Sequence, residues 1–339
     1  MRYKAMAAGA LAMLALAVLW QATAALLALD STPLFVPRSF YPAATDEPIR
    51  PIPRTLPLDE RKVAIGRRLF NDKRLSADDS VACASCHILA KGGVDGSPQS
   101  AGIHGQRGAM NAPTVFNSVF NFRQFWNGRA ATLEDQVDGP VHDPLEMASD
   151  WPPILHKLAA DPAYRDAFRT VYRDGLQPPN IRNAIAEFER SLITPDSRFD
   201  RYLAGERGAL TWDEVKGYQL FKNYGCIACH QGVNVGGNLY ARLGVMEQYF
   251  PAGANARPAD LGRMAITGRS EDLHVFKVPS LRNVALTAPY FHDGSVATLE
   301  QAVSIMGRFQ LGVSLAPDEV ALIVKFLQTL TGRYPGELQ

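Results

Sequence analysis

The sequence predicts a mainly α-helical protein made of two similar domains, and three observations support this prediction. Residues from Asn111 onward reappear from Lys277 onward without a gap, at a constant offset of 166 residues. A helical pattern of apolar residues precedes the same Cys-x-x-Cys-His motif in each copy. Segments with strand-like alternation are short and few. A repeat of this length indicates one structural unit that is used twice.

The overall composition agrees with two globular domains and excludes one class of partner. The chain has 339 residues, which is long enough for two hydrophobic cores. Apolar residues make up 47% of the chain and the net charge is +1. A nucleic-acid-binding domain shows a surplus of basic residues that this sequence lacks. We therefore expect no nucleic-acid partner.

Residues 1–29 have the pattern of an export signal. Arg2 and Lys4 precede an apolar stretch at 5–20, and the small residues 22–24 follow it. Because apolar residues continue through Leu29, the segment also approaches the length of a membrane-spanning helix. We favour a cleaved signal peptide over a retained N-terminal membrane anchor. In both cases the rest of the protein is exported to the periplasm.

Residues 30–55 form a proline-rich segment. Proline disfavours helix and strand, so we expect an extended arm over the surface. Its prolines, with one just beyond the segment, are Pro33, Pro37, Pro42, Pro48, Pro51, Pro53 and Pro57.

All four cysteines lie in two motifs with the same Cys-x-x-Cys-His pattern, "CASCH" at 83–87 and "CIACH" at 226–230. This is the attachment signature of c-type haem, in which two thiols bind the haem vinyl groups and the adjacent histidine binds the iron. Two short-range disulfides or one zinc site are the alternatives, but neither needs the two trailing histidines. The motifs therefore predict two covalently bound haem c groups, with Cys83, Cys86 and His87 on the first and Cys226, Cys229 and His230 on the second.

The repeat defines two haem domains, at 56–200 and 201–339. A helical segment ending near Phe70 or Phe221 precedes each haem motif. A second helix follows in each copy, with Thr132 or Thr298 as its N-cap. The predicted architecture is two mainly helical cytochrome c-like domains, each with one covalently bound haem.

The two copies differ at the position where a haem iron takes its second axial ligand. The second copy has Met306 there and the first has Pro140, which cannot bind a metal. Methionine ligation raises the potential of a haem and closes its iron to substrate. The alternative is that Met306 is an ordinary core residue. The repeat favours ligation, because the difference then separates two haems of different function.

The first haem must be open or take its ligand from elsewhere, and His104 is the candidate donor. It lies in the glycine-rich segment 92–108, whose glycines lower the cost of rearrangement. A histidine on such a loop can bind the iron in one state and leave it in another. The alternative is a surface histidine on a flexible loop.

The order of motifs resembles that of the bacterial dihaem cytochrome c peroxidase family. It comprises two CxxCH motifs and, between and after them, "NAPTVFN", "FWNGRA", "DPLEMAS", "VPSLRN", "APYFHDG" and "IMGRFQLG". The resemblance covers nearly everything after the proline-rich arm. It implies reduction of hydrogen peroxide to water with two electrons from a small periplasmic donor, a cytochrome c or a cupredoxin. Electrons would enter at the C-terminal, high-potential haem and be used at the N-terminal, low-potential haem.

The resemblance also implies roles for residues around the first haem. Glu146 matches the acid-base residue that moves a proton between the two oxygens of peroxide. Gln136 and Phe125 match a polar orienting group and an apolar wall of the same pocket. Trp126 matches an indole that lies between the two haems, and it takes the repeat position of His292.

Two further features follow from the resemblance alone. Family members hold a calcium ion between the domains, and Asn111 matches its side-chain ligand. Thr287 and Pro289 match positions that offer backbone carbonyls to that ion. Family members are also commonly homodimers.

Two other functions remain open at the level of sequence. One is a dihaem oxidase that acts on a partner protein, as in the maturation of methylamine dehydrogenase. In that subfamily a tyrosine replaces the methionine ligand, whereas this chain has Met306. The other is a dihaem electron carrier without peroxidase activity, which needs both irons permanently six-coordinate.

Overall fold

The computed structural model describes residues 47–250 and 257–336. The predicted signal segment and most of the proline-rich arm lie outside the described residues. The helices are α1 (Glu60–Phe70), α2 (Cys83–Cys86), α3 (Leu133–His142), α4 (Trp151–Ala159), α5 (Pro162–Val171), α6 (Pro178–Ser191), α7 (Arg198–Leu203), α8 (Trp212–Asn223), α9 (Met264–Thr267), α10 (Leu299–Ile305) and α11 (Pro317–Gln328).

Strand structure is confined to one small antiparallel pair in the described part of the chain. Strand β1 (Tyr240–Arg242) pairs with β2 (Val275–Lys277), so that Tyr240 faces Lys277. Short 3₁₀ turns and one π-helical turn connect the remaining elements. The prediction of a mainly helical protein is confirmed. No helix among residues 47–250 and 257–336 is long and apolar enough to cross a membrane.

Each half is organised around one pair of packed helices that cross at a glycine. In the first half, α1 packs on α6, and a Cβ on Gly66 would lie 1.9 Å from the Ala184 carbonyl oxygen. In the second half, α8 packs on α11, and a Cβ on Gly217 would lie 2.0 Å from the Leu322 carbonyl oxygen. Only glycine permits so close an approach of two helix backbones.

The repeat predicted from sequence is visible in the backbone conformation. Positive φ angles recur at the 166-residue offset, at Asn117 (61°) and Asn283 (59°), and at Phe125 (67°) and Phe291 (68°). Non-glycine residues rarely adopt this left-handed region, so the matched pairs reflect a shared fold rather than chance. The two halves are therefore structural as well as sequence copies.

The predicted N-caps are confirmed. The Thr132 hydroxyl accepts a hydrogen bond from the Asp135 amide and begins α3. The Thr298 hydroxyl does the same with the Gln301 amide and begins α10. Each turn also has the reciprocal bond of a capping box. This bond fixes the start of α3, which contains Pro140, and of α10, which Met306 follows directly.

Insertions distinguish the two halves. The first half inserts α4 and α5 between α3 and α6, and their apolar faces complete its core around Ile154 and Phe168. The second half inserts the β1–β2 pair and α9 between its haem motif and its copy of the repeat. The described end of the proline-rich arm packs into the second half, where Ile49 is fully buried. The domain boundary proposed at residue 200 stays a prediction.

Candidate haem and peroxide site

The first cysteine motif forms α2, and the histidine that ends it is held by one hydrogen bond. The Nδ1 atom of His87 lies 3.1 Å from the Gly93 carbonyl oxygen. Burial lowers the pKa of His87, and this hydrogen bond only partly opposes the effect. A neutral imidazole whose Nδ1 donates to a carbonyl presents its Nε2 lone pair, which is the arrangement that an iron ligand requires.

The second motif has the same arrangement in a different local structure. Cys226–Ala228 form a 3₁₀ turn, and the Nδ1 atom of His230 lies 3.3 Å from the Val235 carbonyl oxygen. Burial lowers the pKa of His230 to about 4. Both histidines are therefore fixed in the neutral, Nδ1-protonated form that suits a proximal ligand.

The cysteines favour haem attachment over the alternatives left open by the sequence. All four are free thiols. Burial raises the pKa of Cys83 to about 12 and that of Cys226 to about 11. The one group of potential metal ligands within the described ranges contains Asp260, His292 and Asp293 and no cysteine. Two separate thiol pairs, each followed by a neutral histidine, fit covalently bound haem.

The two copies of the repeat diverge in backbone structure at the predicted sixth-ligand position. In the first half, Pro140 lies inside α3, which continues as an α-helix to His142. In the second half, α10 ends at Ile305 and Met306 begins a π-helical turn that extends to Leu311. Such wide turns are rare and concentrate at functional sites. Met306 is partly buried, and the Phe309 carbonyl of the same turn accepts the Met246 amide at 3.1 Å.

His104 lies at the surface of the first half in this structure. Its side chain is 67% exposed, and its Nδ1 atom is 3.6 Å from an Asp78 carboxylate oxygen. The residue has φ = 53°, in the left-handed region, between two short hydrogen-bonded turns. The imidazole is thus turned toward solvent.

Glu146 is partly buried at the end of the segment that follows α3. Burial raises its pKa, the nearby negative charge of Asp143 raises it further, and the positive charge of Arg129 opposes both. A carboxyl group with a raised pKa keeps its proton to a higher pH than an ordinary carboxyl group does. Its environment therefore suits the acid-base role that the sequence assigns to it.

The loop that carries His104 is in direct backbone contact with Glu146. The Ile103 amide donates a hydrogen bond of 2.8 Å to the Glu146 carbonyl oxygen. A Cβ on Gly102 would lie 2.0 Å from the Leu145 carbonyl oxygen, so only glycine fits there. This contact leaves no pattern in the sequence, because it joins segments separated by more than forty residues and involves backbone atoms alone.

Phe125 and Gln136 lie on or against α3. The Phe125 ring packs directly over Gly139, where an added Cβ would lie 2.5 Å from the ring. The Arg129 guanidinium stacks 3.3 Å from the centroid of the same ring. Gln136 is on α3 and partly buried. Arg129 and Asp143, which set the charge around Glu146, were not predicted from the sequence.

Trp126 joins the two halves through hydrogen bonds. Its indole Nε1 donates to the Asn111 carbonyl oxygen at 2.9 Å, and its own carbonyl accepts the Lys277 amide at 2.7 Å. The Asn111 amide in turn donates to the His292 carbonyl at 2.7 Å. The His292 side chain is buried and its Nε2 atom lies 2.8 Å from an Asp260 carboxylate oxygen. His292 is therefore held as a structural residue by a carboxylate.

The structure gives partial geometry for the expected calcium ligands. The side-chain Nδ2 of Asn111 donates to the backbone carbonyl oxygens of Ser97 and Pro98, at 3.0 and 3.3 Å. This orientation turns Oδ1 away from those carbonyls, as a cation ligand requires. Thr287 and Pro289 follow a 3₁₀ turn whose last residue, Leu286, packs against the first-half loop at Gly92.

Comparison with known proteins agrees with this site. Residues 60–208 match the family model described as "Di-haem cytochrome c peroxidase". The chain is 51% identical over 299 residues to the cytochrome c peroxidase Ccp of Escherichia coli, covering 88% of this chain and 64% of that protein's length. It is 47% identical over 293 residues to the cytochrome c551 peroxidase of Nitrosomonas europaea, covering 86% of each. The chain belongs to the di-haem cytochrome c peroxidase family.

A solved structure supports the same family fold. The crystal structure of a MauG-like protein associated with microbial copper homeostasis matches with a TM-score of 0.72 and 31% identity. The match covers 89% of this chain and 96% of that one. Membership of a di-haem family makes two covalently bound haem c groups the cofactors of this peroxidase. The free cysteine pairs and the oriented imidazoles fit them.

Proposed function

We propose that this peroxidase reduces hydrogen peroxide to water at its N-terminal haem, with electrons that enter at its C-terminal haem. The main support for giving the two haems different roles is the difference between Met306 and Pro140 at matching positions of the repeat. A thioether on the second iron closes it to substrate and raises its potential. The first haem lacks such a ligand at the matching position, so it is the one that can bind peroxide.

The reaction consumes one peroxide, two protons and two electrons, and it yields two waters. Haem iron supplies the redox chemistry and binds the oxidant. Glu146 takes the proton from the inner oxygen of peroxide and returns it to the outer oxygen, which then leaves as water. Its raised pKa supports the second step, because burial and the charge of Asp143 favour the protonated form that returns the proton. Gln136 orients the oxidant, and the ring of Phe125 excludes bulk water from the pocket.

We propose that His104 is the displaceable sixth ligand of the first haem. Its exposed imidazole and strained backbone support a loop with more than one arrangement. The hydrogen bond from Ile103 to Glu146 ties that loop to the acid-base residue. Movement of the loop would therefore open the iron and reposition Glu146 together.

Electron transfer between the haems would pass near Trp126, whose hydrogen bonds span both halves of the molecule. Calcium bound by Asn111, Thr287 and Pro289 would hold the same junction. The small electron donor is a cytochrome c or a cupredoxin, and the protein works in the periplasm as a homodimer. Residues 1–29 act as a signal peptide or tether it to the inner membrane.

Steady-state consumption of peroxide, with a reduced small cytochrome or cupredoxin as donor, tests the proposal. We expect turnover, together with a high-spin signal that appears at the first haem when the second is reduced. No turnover after full reduction of the second haem would favour an electron carrier. Turnover only with a protein substrate that becomes oxidised would favour the oxidase function.

A further inference from the structure

Lys277 ends strand β2 with a buried side chain that has no partner in the described part of the chain. The residue is 6% exposed. No carboxylate, carbonyl or aromatic ring within residues 47–250 and 257–336 contacts its ammonium group. Burial alone lowers its pKa to about 8, and no nearby charge opposes the shift.

A buried cation of this kind is unfavourable unless an anion accompanies it. Arg282 shows how the same fold treats an equally buried cation. Its guanidinium is fully buried, lies 2.8 Å from the Asp200 carboxylate, and also donates to the Val233 and Arg50 carbonyl oxygens. Lys277 has none of these contacts among residues 47–250 and 257–336, so the described part of the chain supplies no counter-ion for it.

The position of Lys277 indicates where that anion lies. Its amide donates to the Trp126 carbonyl oxygen at 2.7 Å, and the indole of Trp126 donates to the carbonyl of Asn111. Lys277 and Asn111 occupy the same position in the two copies of the repeat. The tryptophan at the junction of the halves is thus bonded to the backbone of both equivalent positions, one of which has a neutral side chain and the other an ammonium.

We propose that the ammonium of Lys277 is the counter-ion of a haem propionate at this junction. Each haem c carries two propionate carboxylates, which are the anions that this chain acquires when its cofactors attach. The inference rests on the two haems of the proposed function and not on peroxide turnover. Lys277 is therefore a positioning residue, which fixes a propionate beside Trp126 and stabilises the reduced state of that haem.

Replacement of Lys277 by methionine tests the pairing, with Lys277→Arg and Lys216→Met as controls. Lys216 is exposed on α8, so its variant removes one positive charge from the same half without touching a buried site. In Lys277→Met we expect the reduction equilibrium of one haem to shift about tenfold toward the oxidised form, a fall of about 59 mV. The Arg and Lys216 variants should keep both potentials close to wild type. The haem that shifts is the one whose propionate pairs with Lys277.

Thermal unfolding of the haem-loaded protein gives a second, independent result. If Lys277 pairs with a propionate, the methionine variant leaves a buried carboxylate without its partner, and its Tm should fall. If Lys277 is an unpaired buried amine, methionine removes an unfavourable group and the Tm should rise. Unchanged potentials at both haems, or a higher Tm, would overturn the proposal. Because neither measurement uses peroxide, failure here is distinct from failure of the peroxidase assignment.

Discussion

Replacement of Glu146 by glutamine tests the acid-base role most directly. Glutamine keeps the size and polarity of the side chain but cannot accept the peroxide proton. General acid-base catalysis typically contributes a factor of about 10² to 10⁴, so kcat/KM for peroxide should fall by that factor, or about 3 to 5 kcal/mol of transition-state stabilisation. Both haem spectra should stay unchanged, since Glu146 is no haem ligand.

The pH dependence of kcat/KM provides a second test of the role of Glu146. Glu146 must be ionised to take the peroxide proton, so kcat/KM should fall as the pH drops through its raised pKa. Loss of the Asp143 charge removes one cause of that rise. The Asp143→Asn variant should therefore move the acid limb of the profile to lower pH. Its activity on the alkaline plateau should match wild type.

Peroxide consumption under steady state, measured across the pH range for all three proteins, decides between the outcomes. In Glu146→Gln the acid limb attributed to this carboxyl should disappear along with most of the activity. Retention of full activity by that variant would place the base elsewhere. An acid limb that moves to higher pH in Asp143→Asn would contradict the electrostatic account of the raised pKa.

Three further predictions concern the iron ligands and the helix pairs. Met306→Leu should lower the potential of the second haem markedly, and an unchanged redox titration would remove Met306 from the ligands. His104→Ala should give a high-spin first haem in the fully oxidised protein, before any reduction. A low-spin signal would identify another ligand. Gly217→Ala should lower the free energy of unfolding by about 3 kcal/mol in denaturant titrations, because its Cβ would meet the Leu322 carbonyl at 2.0 Å. Gly208→Ala, with no neighbouring atom within 4 Å, is the matched control and should stay close to wild type.

Much of the fold could be predicted because the sequence contains an internal repeat, and each copy can be compared with the other. The 166-residue offset predicted which residues occupy matching places, and paired features such as the N-caps Thr132 and Thr298 confirm it. The insertions were harder to predict, since a segment present in one copy has no counterpart to compare. The β1–β2 pair and helix α9 were missed for this reason.

The parts of the site that depend on side-chain chemistry could be predicted from the sequence. Haem attachment follows from cysteine spacing, and the orientation of His87 and His230 agrees with it. Contacts made by the backbone leave no such pattern. The π-helical turn at Met306 and the bond between Ile103 and Glu146 depend on how distant segments pack, and no local spacing encodes them.

The hydrogen bond between the Ile103 amide and the Glu146 carbonyl bears on the proposed displacement of His104 from the first haem. If the loop of His104 and the carboxyl of Glu146 moved independently, the iron could open while its acid-base group lay out of place. The contact of Gly102 with the Leu145 carbonyl leaves no room for one segment to slide over the other, and the Ile103 amide holds the Glu146 backbone directly. With His104 and Glu146 in their proposed roles, steric exclusion and one hydrogen bond would make ligand release and placement of the base a single event. A longer side chain at residue 102 would meet the Leu145 carbonyl and force the two segments apart.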